Sequence, residues 1–121
     1  NKISVSQNFE LKDAEILAKQ SILKENIWKR GNSALFRQRY RPSLAYRLAL
    51  VAEGKFDAMI ALGTSWEWDI CAGHLIVSEA GGSVTTNFGD KIFYNSKDGS
   101  SKGIIAGNPS IHKSLIKELN I

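Results

Sequence analysis

One cysteine, two prolines, one methionine and two histidines in 121 residues leave several structural classes without material. Cys71 alone can close no internal disulfide, and the chain carries no Cys/His spacing of the metal-binding kind. There is no glycine-rich Walker loop and no Ser/His/Asp arrangement that would support nucleophilic catalysis. The uninterrupted apolar runs are only a few residues long, which excludes a transmembrane helix. Residues 1–30 carry charges throughout and have no apolar core segment, so no signal peptide is expected. Internal repeats and low-complexity segments are also missing.

What remains is ordinary globular material, 43% hydrophobic and 23% charged. A chain of 121 residues predicts one domain that buries roughly two thirds of its unfolded surface. The first residue is Asn1 rather than Met, which suggests a processed terminus, a cloned domain or a fragment. Cys71, between Ile70 and Ala72, reads as a small core residue in a reducing, cytoplasmic compartment.

The charge is uneven. The formal net charge is +4, and the stretch between Asn26 and Glu53 holds six basic residues (Lys29, Arg30, Arg37, Arg39, Arg41 and Arg47) with no acidic one. Such a block suits an anionic partner: phosphate, nucleotide or nucleic acid. It equally suits a solvated sheet edge on which cations discourage strand pairing.

Periodicity sets the expected elements. Ile3–Ser6 alternates like a short strand, and Leu11 to Leu23 has helical apolar spacing behind Asn8 as cap. Gly31–Ser33 reads as a turn, and Ala34–Tyr40 as a strand. Pro42 then opens an apolar helix through Ala52 that glycine at position 54 ends. Phe56–Leu62 reads as a buried strand, and Asp69 to about Ala80 as a helix stopped by Gly81-Gly82. Ser83–Thr86, Lys91–Tyr94 and Gly103–Ala106 are short strands, with a polar loop over 95–102. Asn108-Pro109 starts the last helix, with Ile111, Leu115, Ile116 and Leu119 inward and His112 solvated. Alternation of this kind predicts an α/β sandwich with helices on both faces of a sheet.

Trp68 to Gly82 is the densest stretch. Asp69 ahead of a helix reads first as a cap whose carboxylate bonds free N–H groups. Trp68 beside it and the small Ala72-Gly73 one turn on leave room for a ligand or another backbone. A carboxylate held there could ligate a hard cation such as Mg²⁺. His74 and Glu79 read as packing or surface residues, and Trp66 either lines the mouth of the site or packs.

Trp68-Asp69-x-x-Ala72-Gly73 followed by Glu79-Ala80-Gly81-Gly82 resembles the C-terminal signature of the inositol monophosphatase family, which includes 3′(2′),5′-bisphosphate nucleotidases. The Leu50–Asp57 stretch is similar to the family's helix-then-strand unit, and the resemblance covers nearly the whole chain. It implies the C-terminal half of the sugar-phosphatase fold, a three-layer αβα sandwich with a mixed sheet. It also implies a Mg²⁺-dependent, lithium-sensitive phosphomonoesterase with Asp69 as a metal ligand. The family's acidic pair and its Asp-x-x-Asp-Gly-Thr motif are missing here. The resemblance therefore implies one C-terminal domain, residues 1–121, whose catalytic N-terminal domain is not part of this sequence. It also implies that these residues alone are inactive.

On the substrate side the resemblance points to Arg39, with Arg41 close enough to compete, and to Ser43 at the start of the buried helix. Pro42 removes one donor from that helix end. The family's inositol-contacting glutamate falls near Ala61, and Gly73-His74 is similar to bacterial bisphosphate nucleotidases. The expected substrate is a phosphorylated small molecule, with a 3′(2′),5′-bisphosphate nucleotide favoured over inositol or other sugar monophosphates. A basic nucleic-acid-binding or scaffold domain is the alternative of another class, and a homodimer is one assembly the half-enzyme could adopt.

Overall fold

The computed structural model describes residues 3–30, 35–92 and 100–119; at 64–69 and 100–102 it describes the backbone alone. Five strands form one mixed sheet in the order β2-β1-β3-β5-β4. They are β1 (Glu15–Leu17), β2 (Arg37–Arg39), β3 (Ala58–Trp66), β4 (Ser83–Thr85) and β5 (Ser100–Gly107). β1 runs parallel to both β2 and β3, whereas β5 is antiparallel to β3 and β4. Helices α1 (Leu44–Ala52) and α2 (Glu67–Glu79) follow β2 and β3, and α3 (Pro109–Glu118) follows β5.

Side chains of the central strands alternate between two cores, as the pleat demands. Leu17, Met59, Ile104 and Ala106 face one core with Leu48 and Val51 of α1 and Ile70 and Val77 of α2. Ile16, Ile60 and Ile105 face the other with Ile111 and Leu115 of α3. Trp28 closes this second core. Its ring meets Phe36 edge-on at 5.7 Å, and its indole N–H donates to the Ile22 carbonyl at 2.8 Å. The expected αβα layering is observed.

Several local expectations are corrected. Leu11–Leu23 is not a helix. It is a 3-10 turn at Leu11–Asp13, then β1, then a second 3-10 turn at Ile22–Lys24. Ile16 and Leu17 are both fully buried but on opposite sheet faces, and a short apolar run buried on both sides fits either period. Ile3–Ser6 joins no strand ladder. Val5 N–H donates once, to the Ala80 carbonyl, and Gly54 lies so close that a Cβ there would sit 2.8 Å from the Ser4 carbonyl oxygen. Lys91 and Ile92 are not in a strand, while β5 begins at Ser100, three residues earlier than expected. The expected turn at 31–33 and the stretch 93–99 lie outside the described residues.

The helix ends follow their residues. Asn108 caps α3, its side-chain oxygen accepting from Ile111 N–H at 2.9 Å, with Pro109 in the first turn. Gly54 and Gly81 take the positive φ values of +77° and +90° that end α1 and α2. Pro42 stands outside α1, ahead of the cap residue Ser43, so its missing N–H takes no donor from the helix.

The N-terminal end of β3 is tied by a buried carboxylate. Asp57 accepts from Ser6 Oγ at 2.6 Å and from Glu15 N–H at 2.8 Å, with Asn8 Nδ2 at 3.5 Å. Its backbone N–H donates to the Glu15 carbonyl, and its carbonyl accepts from Asn108 N–H. Asn108 Nδ2 in turn donates to Ser6 Oγ and to the Asn8 carbonyl. His112 is buried rather than solvated, its Nε2 2.7 Å from Thr85 Oγ. The Thr85 hydroxyl donates to the Thr86 carbonyl, so the imidazole is the donor in this pair and Nδ1 is left to take up a proton.

Two outcomes are expected. Asp57→Ala strands the donors of Ser6 and Glu15 and should cost about 2–4 kcal/mol in urea unfolding, against about 0.5 kcal/mol or less for the exposed Glu10→Ala. Burial holds the His112 pKa below the ordinary 6.5, and burial together with Lys91 does the same for His74. The unfolded chain therefore binds these protons first. Stability should fall from about pH 7.5 to about pH 5.5, and His112→Gln should flatten that slope in denaturation series across this range.

Candidate active-site crevice

Three parallel strands end on the same side of the sheet, and a crevice opens there because β1 is short. β1 pairs with β3 at Ile16–Ala58 and Leu17–Met59 and no further, after which the chain turns aside at Ala18, whose N–H donates to the Arg39 carbonyl. The next stretch of β3 thus lacks a neighbour on that side. A cavity of about 360 Å³ fills the gap, lined by Lys19 and Ile22 beyond β1, Tyr40 beyond β2, Arg47 of α1 and residues 60–63 of β3. Lys19 and Tyr40 also line an adjoining cavity of about 400 Å³ with Gln20 and Ser21. Ligands of open α/β sheets bind in crevices of this kind, at the carboxyl ends of parallel strands.

A bulge shapes the far wall. Ala61 pairs with Ile104 and Thr64 with Lys102, so Leu62 and Gly63 stand opposite the single residue Gly103. Gly103 has φ +73°, and a Cβ there would lie 2.6 Å from Asn87 Oδ1. Bulges of this kind redirect a strand next to a functional site. β3 then runs directly into α2, which places the backbone of Asp69 third in that helix. Asp69 is thus inside the first turn, where carboxylates interact favourably with the helix dipole, rather than ahead of it. The side chains of Trp66, Trp68 and Asp69 lie outside the described atoms.

The other expected site residues, Arg39, Arg41 and Ser43, follow one another along the chain at and after the end of β2, but none of them lines either cavity and each has its own attachment. Ser43 caps α1, its Oγ accepting from Tyr46 N–H at 3.3 Å and its own φ standing at +70°. Its hydroxyl proton remains available to an acceptor. Arg39 Nε pairs with Glu15 at 3.2 Å. The Arg41 guanidinium lies 5.2 Å from the centre of the Phe56 ring. Arg47, which motif reasoning passed over, lies 5.4 Å from the Tyr40 ring centre. Its signal in the sequence was its isolation, since it is the one charged residue of Leu44–Ala52. Lys19 and Tyr40 carried no such mark.

Two expectations about α2 change. The room left by Gly73 is taken up inside the domain: a Cβ there would lie 2.5 Å from Leu48 Cδ1 and 2.8 Å from Leu48 Cβ, so the glycine lets α1 approach α2. Cys71 is exposed, not buried, because Ile70 and Val77 carry the inward stripe of α2. Among the described residues no three His, Cys, Asp or Glu side chains converge to hold a metal ion.

Known proteins resemble this chain in sequence and in fold. The profile of the inositol monophosphatase family matches residues 1–121. Inositol-1-monophosphatase of Bacillus subtilis is 38% identical over 76 residues, covering 63% of this chain and 27% of that protein. The Golgi-resident adenosine 3′,5′-bisphosphate 3′-phosphatase of Rattus norvegicus is 35% identical over 69 residues, covering 57% of this chain and 19% of that protein. The crystal structure of extragenic suppressor protein suhB from Bartonella henselae superposes with a TM-score of 0.74 at 31% identity, covering 94% of this chain and 45% of that one. The chain thus spans less than half the length of each.

The bulge gives a direct check. Gly103→Ala should lower stability by about 1–3 kcal/mol, since it forces a side chain into a left-handed conformation against Asn87. Gly63→Ala, with no atom within 4 Å of its added Cβ, should unfold at nearly the wild-type denaturant concentration.

Proposed function

Because this chain belongs to the inositol monophosphatase family, we propose that it forms one wall of the active site of a Mg²⁺-dependent phosphomonoesterase. The observation that carries the reading is the delivery of Asp69, by a bulged β3, to the end of the sheet where the cation-lined crevice opens. Asp69 is the metal ligand in this reading. When bound, Mg²⁺ supplies charge neutralisation at the phosphate and at the departing oxygen. The chain's own residues hold the substrate. Ser43 can donate its hydroxyl proton to a phosphate or hydroxyl oxygen while its lone pair keeps the Tyr46 cap, so the two roles do not compete. Arg39 and Arg41, on and just beyond β2, add positive charge on the substrate side.

The favoured substrate is a 3′(2′),5′-bisphosphate nucleotide. Ala61, in the crevice wall, leaves no carboxylate where the family's inositol-contacting glutamate falls, and Lys19 and Arg47 favour a second anionic group. Similarity to an adenosine 3′,5′-bisphosphate phosphatase supports the same choice. Similarity to inositol-1-monophosphatase supports inositol or another sugar monophosphate as the second reading. A nucleic-acid-binding role has less support, since Arg39, Arg41 and Arg47 are each engaged by Glu15, Phe56 and Tyr40 rather than arrayed on one open face.

An N-terminal catalytic domain completes the site in this reading. It, or a second copy in a homodimer, would cover the outer side of α2, where Leu75 is 62% and Ile76 40% exposed. No helix among the described residues is long and apolar enough to cross a membrane. A cytoplasmic location rests on the single, exposed Cys71.

In the complete protein, Asp69→Asn should lower Mg²⁺-dependent phosphate release by about a hundredfold or more while leaving the circular dichroism spectrum unchanged. Unfolding with metal binding intact would instead make Asp69 a helix-end residue only. The 121 residues alone should fold yet release little phosphate from adenosine 3′,5′-bisphosphate.

A further inference from the structure

Tyr40 is 47% exposed, yet its ring is not loose. Arg47 holds it from one side, with the guanidinium carbon 5.4 Å from the ring centre. The Arg47 Nε is buried and has no hydrogen-bond partner, so stacking on Tyr40 is the contact that engages this end of the side chain. Arg47 lines only the first of the two adjoining cavities, whereas Tyr40 lines both. The half-exposed ring therefore has a cation over it and borders a second space of about 400 Å³, which Lys19, Gln20 and Ser21 also line.

That arrangement has a specific chemistry. A ring braced by a guanidinium on one face is pre-set to take a second planar π-system on the other. Gln20 and Ser21 offer donors and acceptors suited to the edge of a heterocycle. Lys19, whose Nζ is 3.0 Å from Glu25 Oε1, stands at the junction of the two spaces and supplies a positive charge beside the ring. The volume falls within the range of roughly 300–1,000 Å³ typical of small-molecule sites. A polyol has hydroxyls all round and no flat π-face, so it makes less use of an aromatic ring at the edge of the site than a nucleobase does.

We propose that Tyr40, braced by Arg47, is the platform on which the base of a nucleotide substrate stacks, and so a specificity-determining residue for the phosphatase. The proposal rests on the phosphatase reading for its catalytic consequence but not for binding itself. Arg47 acts as a positioning residue through the ring.

The test uses the complete protein with Tyr40→Ala and Tyr40→Phe. Tyr40→Ala should raise KM for adenosine 3′,5′-bisphosphate about tenfold and that for inositol 1-phosphate far less, whereas Tyr40→Phe should keep the wild-type KM for both. Calorimetric titration with adenosine 5′-monophosphate in EDTA should show the same loss in Tyr40→Ala, independent of turnover. Equal effects of Tyr40→Ala on both substrates, no effect on either, or wild-type-like nucleotide binding by Tyr40→Ala would overturn it. If the wild type hydrolyses neither compound, the phosphatase reading fails, and the titration alone decides the platform: no binding of the monophosphate by the wild type overturns it.

Discussion

The buried carboxylate of Asp57 is the constraint on which the rest of the domain depends. It gathers the N-terminal segment through Ser6 and Asn8, the start of β1 through Glu15, and, with its own backbone, the cap of α3 through Asn108. An acceptor removed from water must find donors, and three chain segments converge on Asp57 to provide them. Close backbone packing accompanies the network. A Cβ on Gly107 would lie 2.9 Å from the Asp57 carbonyl oxygen, so β5 can only run this near to β3 without one. With one end of β3 held in this way, the same strand can leave the ladder with β1 at its other end and curve through a bulge into α2.

The two ends of the sheet therefore have different tasks. At the Asp57 end, polar side chains are spent on one another and on backbone groups. At the opposite end, the strand neighbours stop early and cations are held by local partners around a cavity. Arg47 on an aromatic ring keeps its positive charge without a carboxylate counter-charge, which suits a site that receives anions, whereas Lys19 is held in place by its ion pair with Glu25. The glycines divide along the same lines. Gly73 serves contact between α1 and α2, whereas Gly103 permits the bulge that redirects β3.

Hydrophobic periodicity was informative wherever an element is long or its ends are chemically marked. α3 is legible from Asn108-Pro109 and its inward Ile111 and Leu115, and the end of α1 from Gly54, because caps and positive-φ glycines act within a few residues. It failed at residues 11–23, where a three-residue strand sits in the middle of the sheet. Apolar residues buried on both faces carry no period of 2, and the flanking 3-10 turns add helical spacing of their own. His112 was misplaced for a related reason: its partner, Thr85, is 27 residues away and meets it only across the packed layer.

The sequence by itself determined the α/β class, the family through the Trp68-Asp69 and Glu79–Gly82 signatures, and the position of Asp69 at the start of a helix. Those features are local: a cap, a glycine pair and a motif are complete within a few residues. Only the tertiary structure decided that Lys19, Tyr40 and Arg47 share one crevice and that Gly73 opens onto Leu48 rather than onto a ligand. It also decided that Asp57 is a structural hub. Each of these depends on where β1 stops pairing and which helix packs over it, and, apart from Tyr40 with Arg47, the contacts join residues about 20 or more positions apart that no local pattern in the chain relates.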